Sequence, residues 1–299
     1  MTELICGDIT IKITHPDKIL FPQSNINKEQ VVNYYYNIAE HMLPYLKDRL
    51  ISMQRYPNGI DKPGFFHKNS PEFFPDYIKT APIKNKDEDV VNYAIINNQA
   101  SLVYIANYGC LTPHIWLSKI DKLDNPDRLI FDLDPSVENF ELVRKKAIEL
   151  KNMLEALGLP VFVMLTGSRG IHIVVPIKRL WGFDIVRAFA LKVATKFVET
   201  DPKNLTLEMR KEKRGKKIFV DILRNSWGAT SVAPYAIRAK EGATIATPIY
   251  PEELLDKKLN PTMFNIFNIF GKLKDGNPWK DIDKKAISLN RANDTMDKI

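Results

Sequence analysis

The chain has 299 residues, 44% of them hydrophobic, enough for a large core in one domain or two joined lobes. Its 43 basic residues outnumber 36 acidic ones, and the net charge of +7 points mildly to a polyanionic partner. With only Cys6 and Cys110 it has no disulfide framework or cysteine-based zinc site, and without a secretory leader or an apolar run of about 18 residues it is expected to be cytoplasmic, with no membrane partner.

Taken in chain order, residues 8–14 alternate weakly and predict a strand, which His15-Pro16-Asp17-Lys18 breaks. Val31, Val32, Tyr35, Ile38, Ala39 and Met42 keep helical spacing from Lys28 to Leu43, with Asn27 as N-cap, Gln30 three residues on, and Pro44 where the helix should end. Leu50 to Tyr56 reads as a strand and Pro57-Asn58-Gly59 as a turn. Phe65 and Phe66 are either core packing or a base-stacking platform beside a phosphate-binding Lys68. The charged run Lys84–Asp89 reads as a solvated loop, Val90 to Ile96 as a strand and Gln99 to Cys110 as a helix. His114 precedes Ile115-Trp116, a setting in which a histidine is ordinarily structural.

The stretch Asp127–Ser136 reads as a buried strand ending in two carboxylates. Alternation puts Asp132 and Asp134 on one face, where they repel unless a hard cation such as Mg²⁺ or Mn²⁺ lies between them. The bland alternative is an Asx-type turn at a strand end. Glu141 to Leu157 is an amphipathic helix closed by Gly158, and Pro160 to Thr166 a second apolar strand, so this run is a split βαβ-type unit.

Gly167 and Gly170 allow a tight turn whose backbone N–H groups can face a phosphate, with Thr166 and Ser168 hydroxyls and the Arg169 fork beside them and His172 on the strand that follows. Alone, that pattern is equally a hairpin with a basic tip. Trp181 to Glu199 predicts a helix. Leu205–Met209 and Lys217–Leu223 predict strands joined by a basic hairpin tip. Asp221, in an apolar strand, needs a partner, and the cation proposed for Asp132 and Asp134 is the simplest one. Asn225 to Tyr235 reads as loop, 236–239 as a short strand, Pro248 onward as a helical region, and 281–299 as polar and frayed.

An Asp-x-Asp strand end, a Ser/Gly/basic turn leading to a histidine, and a third aspartate on a later strand, in this order, resemble the archaeo-eukaryotic primase superfamily. More closely, they resemble the polymerase domain of bacterial ligase D and its stand-alone archaeal relatives in non-homologous end joining. The resemblance runs from His15-Pro16-Asp17-Lys18 to Asn277-Pro278-Trp279, with Asp127–Pro135, Asp221 through Arg238 and Ala233-Pro234-Tyr235 its most specific parts.

It implies an α/β, primase-like fold: a central antiparallel or mixed sheet, an RRM-like catalytic unit, flanked by helices. A polymerase domain over 1–285 and a polar tail over 286–299 are expected, with no ligase or phosphoesterase domain attached. By this resemblance Asp132, Asp134 and Asp221 are catalytic and bind two Mn²⁺ or Mg²⁺ ions. Thr166, Ser168, Arg169, His172, Arg238, His114 and Arg55 meet a nucleoside triphosphate. Phe65, Phe66 and Lys68 support template and base. Lys18 and Lys28 take the 5′-phosphate of the downstream strand at a gap or break, and Lys28 opens a helix whose dipole and free N–H groups also favour an anion.

Gln54 departs from the lysine that many relatives carry before Arg-Trp/Tyr-Pro. The resemblance further implies gap filling or terminal transfer at DNA 3′ ends, a preference for ribonucleotides and often for Mn²⁺, a prokaryotic nucleoid location, and a separate ligase, phosphoesterase and Ku-type end-binding protein as partners. A two-metal nuclease, a de novo primase and a non-catalytic end-bridging protein are the competing readings.

Overall fold

The computed structural model describes residues 2–84 and 88–296, so Asn85, Lys86 and Asp87 of the charged run and the last three residues of the predicted tail lie outside it. In chain order the elements are β1 (Glu3–Cys6), β2 (Ile9–Lys12), β3 (Ile19–Phe21), β4 (Ile26–Asn27), α1 (Lys28–Leu46), β5 (Leu50–Arg55), β6 (Phe65–His67), β7 (Lys79–Lys84), β8 (Val90–Ile95), α2 (Gln99–Asn107) and β9 (Cys110–Trp116). They continue with β10 (Arg128–Pro135), α3 (Phe140–Ala156), β11 (Phe162–Leu165), β12 (Ile171–Pro176), α4 (Phe183–Thr200), β13 (Leu205–Thr206), β14 (Ile218–Asp221), β15 (Thr230–Val232), β16 (Thr247–Ile249), α5 (Ile269–Leu273) and α6 (Asn290–Met296). No helix among the described residues is long and apolar enough to cross a membrane.

The α/β class is as expected, and the strands form two six-stranded sheets, one in each of two compact units. The first unit is 1–121, 230–246 and 264–274; the second is 122–229, 247–263 and 275–299.

In the first unit the strand order is β15-β9-β5-β8-β7, with β6 paired to β5. Asn27 caps α1, with Gln30 returning a bond to its N–H. The helix runs on through Pro44 although proline forfeits one main-chain bond there, and Tyr45 and Leu46 are buried beyond it. The Tyr35 hydroxyl donates to the Leu111 carbonyl and accepts from Ile237 N–H at 3.0 Å, while Thr112 Oγ1 donates to the Ile237 carbonyl at 2.6 Å. These bonds pin the main chain beside Arg238. The short strand expected over 236–239 is only an Ile237–Ile245 bridge, and residues 230–232, read as loop, form β15 because they find β9 as a partner.

In the second unit the order is β13-β14-β10-β12-β11-β16, and all three acids lie on this mixed sheet. β10 and β11 flank the antiparallel β12, which is the split βαβ arrangement with α3 as its crossover. Leu129, Phe131 and Leu133, which alternate with the acids, are fully buried, and α3 and α4 pack on β10. The predicted 205–223 hairpin is not one: β13 pairs with β14 in parallel. The connecting loop folds on itself instead, because Arg214 donates to the Glu208 and Met209 carbonyls at 2.8 and 2.7 Å. The stretch expected to fray carries α6, with Ala292 and Met296 buried.

Candidate active site

Asp132 sits mid-sheet between two register partners, His172 on β12 and Asp221 on β14. Directly opposed residues present their side chains on one face, so Asp132, Asp221 and His172 share a face with Asp134 two residues on. His172, almost fully buried, brings Nε2 within 3.3 Å of Asp132 Oδ2. Asp221 Oδ1 accepts the Leu223 N–H at 2.7 Å. Arg224 Nε lies 3.9 Å from Asp132 Oδ2 and 3.8 Å from Asp221 Oδ2, an ion-pair distance beyond hydrogen bonding. Asp134 meets Arg169 at 3.2 Å and Arg214 at 3.6 Å. Arg214 is stacked 3.8 Å over the Phe219 ring, and Phe219 is Asp134's own register partner.

The electrostatics of this face are those of crowded acids. Burial raises the Asp134 carboxyl above its usual range and the Asp132 charge adds to it, against the pull of Arg169, Arg214 and Lys211. Burial likewise raises Asp221, with the Asp132 charge adding, while the Leu223 N–H, Arg224 and His172 oppose it. Among the described residues no three His, Cys, Asp or Glu side chains stand ready-made as a metal cage. The donor chemistry still fits a hard divalent cation: three oxygen ligands, mutually repelling, on adjacent strands. Their present counter-charges are guanidinium groups, and Arg224 straddles two of the acids without bonding either.

The Gly167–Gly170 turn is built by its own threonine. Thr166 Oγ1 donates to the Gly170 carbonyl at 3.0 Å and accepts the Gly170 N–H at 3.1 Å, so this hydroxyl is committed to the turn. A Cβ on Gly170 would lie 2.4 Å from the Leu133 carbonyl oxygen, which is why only glycine lets the turn lie against β10. Ser168 and Arg169 are half-buried, and Arg169 reaches back to Asp134.

The remaining expected residues belong to the first unit. Phe65 and Phe66 on β6 are about half exposed, so they are not core; Phe66 meets His114 edge-on with centroids 5.2 Å apart. Lys68 is exposed and Arg238 partly so. The Arg55 guanidinium is fully engaged: it lies 3.6 Å over the Tyr108 ring, donates to the Tyr108 carbonyl at 3.1 and 2.7 Å, and sits 3.1 Å from His67 Nδ1. Gln54 donates to the Tyr56 hydroxyl at 3.1 Å.

Lys28 Nζ donates to Thr14 Oγ1 at 2.7 Å and Lys18 Nζ to Asn58 Oδ1 at 2.9 Å. Burial, with the Lys18 charge adding, lowers the Lys28 ammonium to a pKa of about 8. The first N–H groups of α1 are not free for an anion: Lys28 N donates to the Lys18 carbonyl, Glu29 N to Pro16 and Gln30 N to Asn27 Oδ1.

Sequence reasoning passed over Arg214, Arg224 and Asn225. The fully buried Asn225 side chain bonds both the N–H and the carbonyl of Ile130, at 2.8 and 2.7 Å, and so pins β10 two residues before Asp132. Arg224 and Asn225 lie three and four residues after Asp221, and that proximity was the only available signal.

The chain matches the family model of the LigD primase-polymerase domain over residues 27–279. It is 29% identical over 259 residues to the multifunctional non-homologous end joining protein LigD of Mycolicibacterium smegmatis, covering 85% of this chain and 34% of that protein. To the bifunctional LigD of Bacillus subtilis it is 28% identical over 274 residues, covering 91% of this chain and 44% of the other. The chain thus spans between a third and a half of the length of these relatives. Its fold is similar to that of the polymerase domain of Mycobacterium tuberculosis ligase D, solved in complex with DNA: TM-score 0.86, 28% identity, 92% of this chain and 99% of that one.

Proposed function

We propose a function from one premise, that this chain belongs to the LigD primase-polymerase domain family: it extends DNA 3′ ends by nucleotidyl transfer at gaps and breaks in non-homologous end joining. The observation that carries the reading is the pairing of Asp132 with Asp221 across β10 and β14, with Asp134 two residues on. Those three carboxylates would hold two divalent ions, Mn²⁺ or Mg²⁺, which when bound polarise the attacking hydroxyl and the departing phosphate. His172 orients Asp132 through the 3.3 Å contact, and the Leu223 N–H orients Asp221. Asn225 fixes the height of β10, so the three acids keep one register.

Arg169, partly exposed on its turn, releases Asp134 to meet a triphosphate, with Ser168 beside it. Thr166 serves this site through the shape of the turn. His114 and Arg238 are further nucleotide contacts carried by the first unit. Phe65 and Phe66 offer open ring faces to template and base, with Lys68 nearby for phosphate. Arg55 serves them indirectly by holding Tyr108 and β6 in place.

Lys18 and Lys28 take the downstream 5′-phosphate through their ammonium groups. Ribonucleotide and Mn²⁺ preference, a nucleoid location, and a ligase, phosphoesterase and Ku-type protein as partners are assigned from the family resemblance.

The test is incorporation on a gapped duplex, ribo- against deoxyribonucleotides, by the wild type and Asp132→Ala. Synthesis should fall roughly 10³-fold in the variant with folding unchanged. Near-normal incorporation by Asp132→Ala would sink the assignment.

A further inference from the structure

Beyond the acid face, the first unit holds a cavity of ≈ 320 Å³ that the proposed chemistry does not use, lined among others by Lys12, Thr14, Tyr77, Tyr104, Asn107 and Tyr108. That volume is at the small end for an organic ligand. Its walls are fixed. Asn107 Oδ1 accepts from Thr14 N at 3.0 Å and Thr14 Oγ1 at 3.2 Å, and Asn107 Nδ2 donates to the Lys12 carbonyl at 2.9 Å, so strand β2 is tied to the end of α2. The buried Phe74 wedges edge-on against Tyr104 and Tyr108, with centroids 5.3 and 5.2 Å away, and Tyr77 meets Tyr104 edge-on at 6.1 Å.

The lining is chemically one-sided. It offers three phenol rings, two threonines, an amide, an ammonium and an isoleucine, and no carboxylate. Among the described residues neither the Tyr77 nor the Tyr104 hydroxyl has a hydrogen-bond partner, so both tips are available to a ligand. An inorganic anion would use the ammonium but gain nothing from three rings. A flat heterocycle with ring nitrogens and carbonyls uses both: it stacks or packs edge-on against the phenols and accepts from their hydroxyls. The cavity also neighbours Lys28. Thr14 lines it, and the same Thr14 Oγ1 accepts from Lys28 Nζ at 2.7 Å. A phosphate at Lys28 therefore lies one side chain away from the phenol rings.

We propose that this cavity takes an unpaired nucleobase, the terminal base of a DNA strand whose 5′-phosphate is held at Lys18 and Lys28. The proposal rests on the 5′-phosphate reading of those lysines. It assigns to the site a contact with the strand end that survives fraying: a base too damaged or mismatched to pair is removed from the gap and held, while its phosphate stays anchored.

The experiment uses the full chain and a gapped duplex whose downstream strand bears a 5′-phosphate and one unpaired 5′-terminal nucleotide. The comparison substrate is identical except that this nucleotide is abasic. Affinity is measured by fluorescence anisotropy at one fixed salt concentration. The base-bearing substrate should bind about tenfold more tightly, the scale of one base on aromatic side chains. Tyr77→Ala should remove that difference while leaving the 5′-phosphate over 5′-hydroxyl preference in place. Tyr77→Phe, which keeps the ring and the packing, should retain most of it.

Equal wild-type binding to the two substrates overturns the proposal, as does a base effect that persists undiminished in Tyr77→Ala. Exchanging phosphate for hydroxyl tests the lysines separately. A phosphate effect with no base effect overturns the cavity alone. A base effect that Tyr77→Ala removes, with no phosphate effect, supports the cavity and overturns the lysine reading.

Discussion

Replacing Asp221 by Asn should stabilise the metal-free protein and abolish its response to Mn²⁺. Asp132 and Asp221 are register partners, which puts their Cβ atoms about 4.5–5.5 Å apart. Two unit charges at about 5 Å repel by about 3 kcal/mol at an effective dielectric of about 20. Arg224, 3.8–3.9 Å from both, offsets much of this but is partly exposed and bonds neither acid, so about 1 kcal/mol of net repulsion is a reasonable remainder. Asn keeps an acceptor for the Leu223 N–H at 2.7 Å, so the change removes charge and little else. For a chain of this size 1 kcal/mol corresponds to a Tm rise of about 2–4 °C. Saturating the wild type with divalent ion at about 100 times its Kd should add about 2.7 kcal/mol, roughly 5–10 °C. Thermal denaturation in EDTA and in Mn²⁺, wild type against variant, reads both effects. A variant that melts lower than wild type in EDTA and rises equally with Mn²⁺ would refute the view of these acids as a mutually repelling cation site.

Gly170→Ala should destabilise the fold by about 1–3 kcal/mol in urea denaturation, because its Cβ would meet the Leu133 carbonyl at 2.4 Å and force the turn off β10. Arg55→Lys should cost about 1–2 kcal/mol and weaken DNA binding through β6, since lysine loses both the paired bonds to the Tyr108 carbonyl and the 3.6 Å stack on its ring; unchanged stability would show the cluster to be slack. The 5′-phosphate preference should decline as pH rises through about 8, where the free protein's Lys28 loses its proton, while the phosphate stays dianionic. The sign for folding is opposite: a lysine held below its unfolded pKa favours the neutral form, so stability should rise over the same window up to the ordinary lysine range. Calorimetric titration near pH 8 in two buffers of different ionisation enthalpy should show proton uptake when 5′-phosphorylated DNA binds.

What was legible beforehand were the features that local chemistry writes into the chain. Alternation exposed Asp132 and Asp134 together, glycine marked the tight approach at Gly170, and Asn27 with Gln30 announced the start of α1. What was not legible depends on partners distant in sequence. β15 and β16 are three residues each and exist because β9 and β11 offer open edges. The parallel pairing of β13 and β14 is decided by a loop that Arg214 closes on main-chain carbonyls, and a basic run of residues gives no hint of that. Thr166 and Arg55 were read as ligand contacts because a hydroxyl in a glycine turn and an arginine beside aromatics are good phosphate binders; the folded chain spends the hydroxyl on closing the turn and the guanidinium on Tyr108. His172 reads from the sequence as pointing back at the glycine turn, whereas its partner in the fold, Asp132, follows from register alone.

The acid face is a site held in check by its own surroundings. Three carboxylates are opposed by the guanidinium groups of Arg169, Arg214 and Arg224, with the His172 ring against Asp132, so the face is close to neutral before any divalent ion arrives. These four are not equally fixed. His172 is buried on the sheet itself, and Arg214 is tied by two main-chain carbonyls and a ring. Arg169 and Arg224 are more than a third exposed, and Arg224 has no bond to break at either acid. A cation held by these carboxylates, as proposed, would displace the guanidinium that costs least to move, while the groups that set the acids' geometry stay in place. That division, fixed residues for shape and loose ones for charge, lets the fold tolerate the carboxylates without metal and would keep them in register for the proposed metal and nucleotide.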